Sequence, residues 1–408
     1  MPLNRRDLLA SAVAAVVTAT APRPARAAWK DRKRYQKVFG YRMAYIEVGS
    51  GRPIIFLHGN PMSSYLWRKI IPYVSGRARC IAPDLMGMGD SDKFATPGEY
   101  TFPNHRRYLS ELFRLLGADR DVILVIHDWG SALGFYYAYQ HPDAIRGIAY
   151  MESFLVPPWA KRDDIVNTGT RAKLFEPGGE SVILQDNAYI EGTIKNYRQF
   201  LTAEDEAEYR RPFLRPGEDR RVMLELTRGG SRGNPQSFAE IQAYTRWLMT
   251  SRQIPKLFIS ANPGEILKFG SQIVRFASNF PNQKVVTVPG RHFIEEESPD
   301  AVGRALAEWL ADLDAGKAMP NAERPSAARP NAGPQSGETV AAKPGEMVGP
   351  NGKTARQMVN QFDRDGDGRI GAGEFPGPAQ RFKFLDGNGD GFVTVEELEA
   401  RWRAMSGR

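Results

Sequence analysis

The chain is expected to be an α/β protein, a mostly parallel sheet flanked by helices with a helical cap inserted into it and a small all-α module at its C-terminal end. Three observations lead there. Between about Trp29 and Asp312 short β-branched runs alternate with helical patterns, as a parallel sheet with helical crossovers requires. The widest gap between strand-like runs, Leu155 to Gln253, is rich in charged and aromatic residues at helical spacing, which suits a cap. After Leu313 the composition changes to Pro, Ala and Gly with almost no large apolar side chain. Residues 314–351 therefore bury too little surface to offset their ordering entropy and read as a flexible linker. Residues 352–408 regain pattern and form the terminal module.

The elements follow in order. Residues 1–27 have a basic start with Arg5 and Arg6, a mildly apolar run from Leu8 to Thr20, and Ala25 and Ala27 spaced for a signal peptidase. They read as a cleaved export signal of twin-arginine type, an ordinary secretory signal being the alternative. The run is too short to span a bilayer permanently. The mature protein is thus expected in a bacterial periplasm or secreted, with no stable membrane insertion. "RPIIFLHG", "RCIAPDL", "DVILVIHD", "IRGIAYME", "PKLFISA" and "KVVTVPG" are the clearest strands. They place the core in residues 28–154 and 254–313, around a cap at 155–253.

Composition narrows the partners. The formal charge of +8 becomes +5 without residues 1–27, and no basic run stands out, so nucleic acid is not expected. The only cysteine, Cys80, lies in a strand-like run and forms no internal disulfide.

The chemistry concentrates in "VIHDWGSALG", an apolar strand, a sharp turn and the start of a small-residue helix. Such a turn lifts one side chain above the sheet, and Gly130 leaves room for the backbone to bend. The raised residue is Asp128. Unlike a hydroxyl, a carboxylate is already an anion at neutral pH and needs no base to attack a saturated carbon. The product is an ester of the enzyme, whose hydrolysis requires a general base. Of the five histidines, His292 follows the last strand in "VPGRHFIEEESPD", while His58 and His127 flank strand ends, His105 sits in a charged helical stretch, and His141 precedes Pro142. His292 is the candidate base. Glu152, ending the strand after the nucleophile's, is preferred over Glu265 as the acid that holds its imidazole. Trp129 and Asn60 supply neutral N–H donors that suit a large, soft leaving anion such as chloride or bromide. Their backbone N–H groups also suit an oxyanion hole.

"HGNPMSSYLWR", "DLMGMGDSDK", "VIHDWGSALGF", "GIAYMES" and "RHFIEEESPD" together resemble the haloalkane dehalogenases of the α/β-hydrolase superfamily, over about residues 33–312. The resemblance implies an eight-stranded, mostly parallel sheet. It implies Asp128 as nucleophile, His292 as base, Glu152 as its partner, Asn60 and Trp129 as the halide-binding pair, a small halogenated substrate and no cofactor for catalysis. The cap departs from that pattern. Leu226 and Thr227 in "LELTRGG" stand where relatives commonly carry an aromatic residue followed by proline, which alters the pocket and not the chemistry. Epoxide hydrolases and coelenterazine luciferases share this fold and are the related alternatives. A catalytically dead, calcium-dependent binding protein is the alternative from another class.

The terminal module carries two twelve-residue acidic loops. "DRDGDGRIGAGE" offers side-chain oxygens from Asp363, Asp365 and Asp367, a bend at Gly368, the Arg369 carbonyl and the Glu374 carboxylate. "DGNGDGFVTVEE" repeats this with Asp386, Asn388, Asp390, Gly391, Phe392 and Glu397. This is the EF-hand pattern for calcium. Two ions are expected, with Ile370 and Val393 pairing as a short ribbon between the loops. The loops begin only 23 residues apart, which favours a calcium-stabilised appendage over a switch; its protein partner is unknown.

Overall fold

The computed structural model describes residues 29–161, 174–229, 235–317, 319, 354–362, 369–371, 374–375 and 379–406. It comprises two units that divide between Ala327 and Ala328. In the first, a hairpin of β1 (Arg34–Val38) and β2 (Tyr41–Val48) precedes β3 (Pro53–Leu57), β4 (Arg79–Pro83), β5 (Val122–His127), β6 (Ile145–Ser153), β7 (Lys256–Pro263) and β8 (Gln283–Gly290). They form one sheet in the order β1-β2-β4-β3-β5-β6-β7-β8. The β1–β2 and β2–β4 pairs are antiparallel and the other pairs are parallel.

All six residues of β5 are buried. Val122, Leu124 and Ile126 join one apolar cluster while Ile123 and Val125 join the other. A central parallel strand with helices on both faces needs such a continuous apolar run. The β1–β2 hairpin has no such signature, because three of the five β1 residues are exposed and only Val38 is buried. Cys80 is buried in β4 and free.

Helix α1 (Phe102–Leu115) begins where the Thr101 hydroxyl accepts the Asn104 N–H, with Pro103 in its first turn. Helix α2 (Asp128–Gln140) follows β5 without an intervening residue. Between β6 and β7 lie α3 (Ala188–Tyr197), α4 (Ala203–Arg210), α5 (Arg221–Gly229) and α6 (Pro235–Leu248), the helices expected of a cap. Residues 162–173 and 230–234 of that segment lie outside the described residues. Helices α7 (Gln272–Ser278) and α8 (Pro299–Asp314) complete the unit.

One buried ionic cluster ties α4 to the core. Arg68, beside β3, donates to Asp205 at 2.8 Å and to both oxygens of Glu296, and the Tyr209 hydroxyl donates to Glu296 as well. Asp205 and Tyr209 belong to α4, and Glu296 to the short helix Ile294–Glu297 just after His292. The cap is thereby fastened to the segment that carries the candidate base.

In the second unit three helices, Ala355–Phe362, Ala379–Leu385 and Val395–Ser406, enclose a small core containing Val359, Phe382, Leu398 and Trp402. Ile370 pairs antiparallel with Val393, forming the expected ribbon. Residues 1–28 and 320–353 lie outside the described residues, and with them the export segment and most of the linker. Among the described residues no helix is long and apolar enough to cross a membrane.

Candidate active site

Asp128 occupies the junction of β5 and α2 with a φ of 47°, a backbone state that side-chain-bearing residues adopt at a cost of about 1–3 kcal/mol. Two glycines make the turn possible. A Cβ at Gly130 would lie 2.2 Å from the Leu57 carbonyl oxygen, and one at Gly59 would lie 2.0 Å from Asp128 Oδ1. Helix and carboxylate therefore approach β3 more closely than any other residue would permit.

The two carboxylate oxygens of Asp128 have different surroundings. Oδ1 accepts the Asn60 backbone N–H at 2.8 Å, and the Trp129 backbone N–H also bonds to the carboxylate. Oδ2 lies 3.5 Å from His292 Nε2. The group is only 5% exposed. Burial by itself would raise its pKa, but the bond and charge of His292 outweigh that and hold it below the usual aspartate value. Asp128 is an anion at neutral pH.

His292 sits in the turn after β8 with a carboxylate on each side. Its Nδ1 lies 3.3 Å from Glu152 Oε2. Burial would lower the imidazole, yet Asp128 and Glu152 together lift it to about 10. It is thus an imidazolium in the resting protein. Its backbone is fixed as well: the N–H donates to the Tyr197 hydroxyl of α3 at 3.1 Å, and the carbonyl accepts from His127 Nε2 at 2.9 Å. Because a carbonyl only accepts, His127 carries its proton on Nε2.

Glu152 is fully buried near the end of β6, with a φ of 40°. Its Oε2 accepts the N–H groups of Glu265 and Ile266 at 3.0 and 2.7 Å, and its Oε1 accepts that of Leu267 at 3.3 Å. The rival acid, Glu265, thus contributes its backbone amide to Glu152, while its own carboxylate accepts from the Tyr197 hydroxyl at 3.3 Å. The run of amides at 265–267 and the Tyr197 hydroxyl are participants that sequence alone did not indicate, because backbone groups leave no residue-type signature.

The remaining histidines take other places. His58 is buried against the Gly59 carbonyl and the Leu85 N–H. His105 is buried on α1, His127 lies behind His292 with rings 4.6 Å apart, and His141 is exposed.

The two side chains expected to bind an anion flank Asp128. The Trp129 ring packs against Phe102 and Phe154, at 5.8 and 5.3 Å between centroids. It also lines a pocket of about 270 Å³ shared with Tyr100, Phe102, Phe175 and Leu226. A second cavity, of about 300 Å³, lies between α1 and α2 and shares no residue with this group. Asn60 departs from the simple expectation. Its Nδ2 donates to the Met223 carbonyl and the Thr227 hydroxyl of α5, both at 3.0 Å. A buried amide takes the nearest acceptors, and here the cap supplies them.

In the second unit, the described loop is built from oxygen donors. Asp386 accepts the amides of Gly389, Asp390 and Gly391, Asp390 accepts that of Phe392, and Glu397 Oε1 accepts those of Gly387 and Asn388. The acidic side chains are curled inward by their own loop. An all-oxygen set with a closing glutamate fits a hard cation such as calcium, although no three His, Cys, Asp or Glu side chains converge on a metal position among the described residues. Of the first loop, Arg369 and Glu374 are described; Asp363, Asp365 and Asp367 lie outside the described residues.

Comparisons with known proteins agree with this arrangement. Residues 52–299 match the alpha/beta hydrolase fold family, and residues 357–375 and 379–400 match the EF hand. A haloalkane dehalogenase of Mycolicibacterium smegmatis is 43% identical over 291 residues, 70% of this chain and 93% of that protein. One from Sphingobium indicum is 43% identical over 69% of this chain and 96% of its own. A coelenterazine h 2-monooxygenase of Renilla reniformis is 37% identical over 63% of this chain and 83% of its own. Among solved structures, the haloalkane dehalogenase DbeA from Bradyrhizobium elkani superposes with a TM-score of 0.63 at 33% identity, covering 70% of this chain and 99% of that one.

Proposed function

This chain belongs to the haloalkane dehalogenases of the alpha/beta hydrolase fold family, and on that footing we propose how its own residues divide the hydrolysis of a carbon–halogen bond. Asp128 Oδ2, the oxygen that faces His292, attacks the carbon from the side opposite the halogen. The halide departs toward the Trp129 indole N–H and the Asn60 amide. An alkyl ester of Asp128 remains, its carbonyl oxygen Oδ1 held by the Asn60 backbone N–H.

Ester formation removes the negative charge of Asp128. The strongest support for an imidazolium at His292 is lost with it, so the ring releases its proton. The neutral Nε2 then takes a proton from the water that attacks Cγ of the ester. Negative charge develops on Oδ1, which already accepts the Asn60 backbone N–H. Collapse frees the alcohol and restores the Asp128 anion, with Glu152 supporting the imidazolium. In balance, a haloalkane and water give an alcohol, a halide ion and one proton, without a cofactor.

The observation that carries this reading is the asymmetric carboxylate of Asp128, one oxygen on the Asn60 amide and the other facing His292 with Glu152 behind it. It is tested by halide release from short bromo- and chloroalkanes, comparing the wild type with Asp128→Asn. Release by the wild type that is no faster than by the variant across the panel would sink it.

The terminal module binds two calcium ions in this reading, one through Asp363, Asp365, Asp367, the Arg369 carbonyl and Glu374, the other through Asp386, Asn388, Asp390, the Phe392 carbonyl and Glu397. The ions would stabilise that module and take no part in the reaction. Residues 1–27 direct export to the periplasm or medium, supported by the paired arginines and the weakly apolar run. Fusing them to a folded reporter, with Arg5→Lys and Arg6→Lys as control, tests the twin-arginine route.

A further inference from the structure

The Asn60 side chain presents an accounting problem. An amide nitrogen carries two hydrogens, and α5 presents it with two acceptors side by side, the Met223 carbonyl and the Thr227 hydroxyl, each at 3.0 Å. Asn60 Oδ1 is buried with no hydrogen-bond partner. A halide that Asn60 binds must therefore share the amide with the cap. The two acceptors are unequal in this contest. Met223 O also receives the Thr227 hydroxyl at 2.6 Å, so it is the anchor of the group. Thr227 Oγ1 keeps that bond whether or not Asn60 donates to it, and its acceptance from Asn60 is the more readily exchanged.

Location supports the same assignment. Helix α5 ends beside the Trp129 ring: Leu226 lines the pocket shared with Trp129, and a Cβ on Gly229 would lie 3.9 Å from that ring. Thr227 is 2% exposed, so bulk water is not on hand to replace its hydroxyl as the acceptor.

We propose that Thr227 is a positioning residue that competes with the halide for the Asn60 amide, holding that donor on the cap between turnovers and weakening retention of the halide product. The proposal rests on the reading of Asn60 and Trp129 as the halide-binding pair. Thr227→Val keeps the shape of the side chain and removes the competing acceptor. The amide then has one acceptor fewer on the cap, the Met223 carbonyl alone, and the halide meets less competition for it. A neutral hydrogen bond of ordinary strength corresponds to about a two- to tenfold change in affinity.

The experiment is a bromide titration of the full chain, followed by quenching of tryptophan fluorescence and by product inhibition of halide release. Bromide is expected to bind Thr227→Val two- to tenfold more tightly than wild type, with slower halide release, and Thr227→Ser, which keeps the hydroxyl, should match wild type. Thr227→Ala removes the same hydroxyl with less steric demand and serves where the valine disturbs α5. A purely structural role would loosen the site, so unchanged or weaker bromide binding in the hydroxyl-free variants overturns the proposal. If the wild type itself binds no bromide and Asn60→Ala behaves identically, the halide-pair reading fails first, an outcome distinct from equal binding by wild type and Thr227→Val.

Discussion

Glu152→Gln separates the two half-reactions, and the local geometry sets how far. Oε2 receives two amides, at 2.7 and 3.0 Å, and faces His292 Nδ1, whereas Oε1 receives only the 3.3 Å contact from Leu267. A glutamine will keep its oxygen at the crowded position and turn its NH2 toward Leu267, where two donors then oppose each other. The fold survives at a cost of about 1–3 kcal/mol for that mismatch. The chemical effect is larger, because His292 loses the buried anion that supports its charge during ester hydrolysis. Removing one partner of a buried ion pair costs about 3–5 kcal/mol, which is about 10²- to 10⁴-fold in the rate of that step. Formation of the ester depends on Asp128 and its backbone N–H groups, which this substitution leaves in place. Rapid mixing with a bromoalkane should therefore yield one bromide per active site at near wild-type rate, then very slow turnover, with the alkyl adduct visible by intact mass. Wild-type steady-state turnover, or no initial burst, would refute the assignment of Glu152 to the second step.

Three further outcomes are expected. The His292 imidazole, followed by NMR, should titrate at about 10 in the resting enzyme and markedly lower in Asp128→Asn. Since the folded value lies above the ordinary one of about 6.5, the stability it contributes is fully present below that value and is lost as pH rises through 10; titration near 6.5 in the wild type would remove the proposed charge switch. Lys33→Met should lower stability by about 3–5 kcal/mol, because it strands the fully buried Asp84 that Lys33 contacts along with Ser64 Oγ. Asp84 lies below its usual pKa, burial opposing and Lys33 prevailing, so its contribution is present above about 3.9 and lost as pH falls through the lowered value, which urea melts across acid pH will register. Chelation of calcium should unfold only the terminal module by calorimetry and leave halide release unchanged; a parallel loss of activity would overturn the view that the module takes no part in catalysis.

What the sequence made legible follows from which physical demands leave residue types behind. The central strands were readable because burial on both faces forces continuous apolar runs such as "VILVIH". The edge hairpin was not, since β1 is half exposed and its turn places Phe39 at a φ of 46° before Gly40, without the Asn-Gly or Asp-Gly that usually marks such turns. Asp128, Glu152 and His292 could be proposed together because each lies within two residues of the C-terminal end of a strand of this sheet. Their supports could not: the amides of 265–267 belong to whatever residues stand there, and Tyr197 reaches His292 from a helix nearly a hundred positions earlier in the chain. Nor did a loop asparagine disclose that its amide would be claimed by Met223 and Thr227, 163 and 167 positions away.

The two carboxylates proposed to flank the base share a feature that would separate chemistry from specificity. Asp128 and Glu152 both hold positive φ values, and such conformations persist only where surroundings over-determine them. For Asp128 those surroundings are Gly59, Gly130 and the Asn60 amide; for Glu152 they are three consecutive amides. All of them belong to the core. The cap reaches the catalytic group through fewer points, chiefly Tyr197 at the His292 backbone and α5 at the Asn60 side chain. Substitutions along α5 are thereby free to change which halides and alkyl groups fit without disturbing the carboxylate that attacks. Substitution of Leu226 or Thr227 should therefore appear in halide affinity and substrate preference, while the rate of ester hydrolysis, proposed to depend on His292 and Glu152, stays the same.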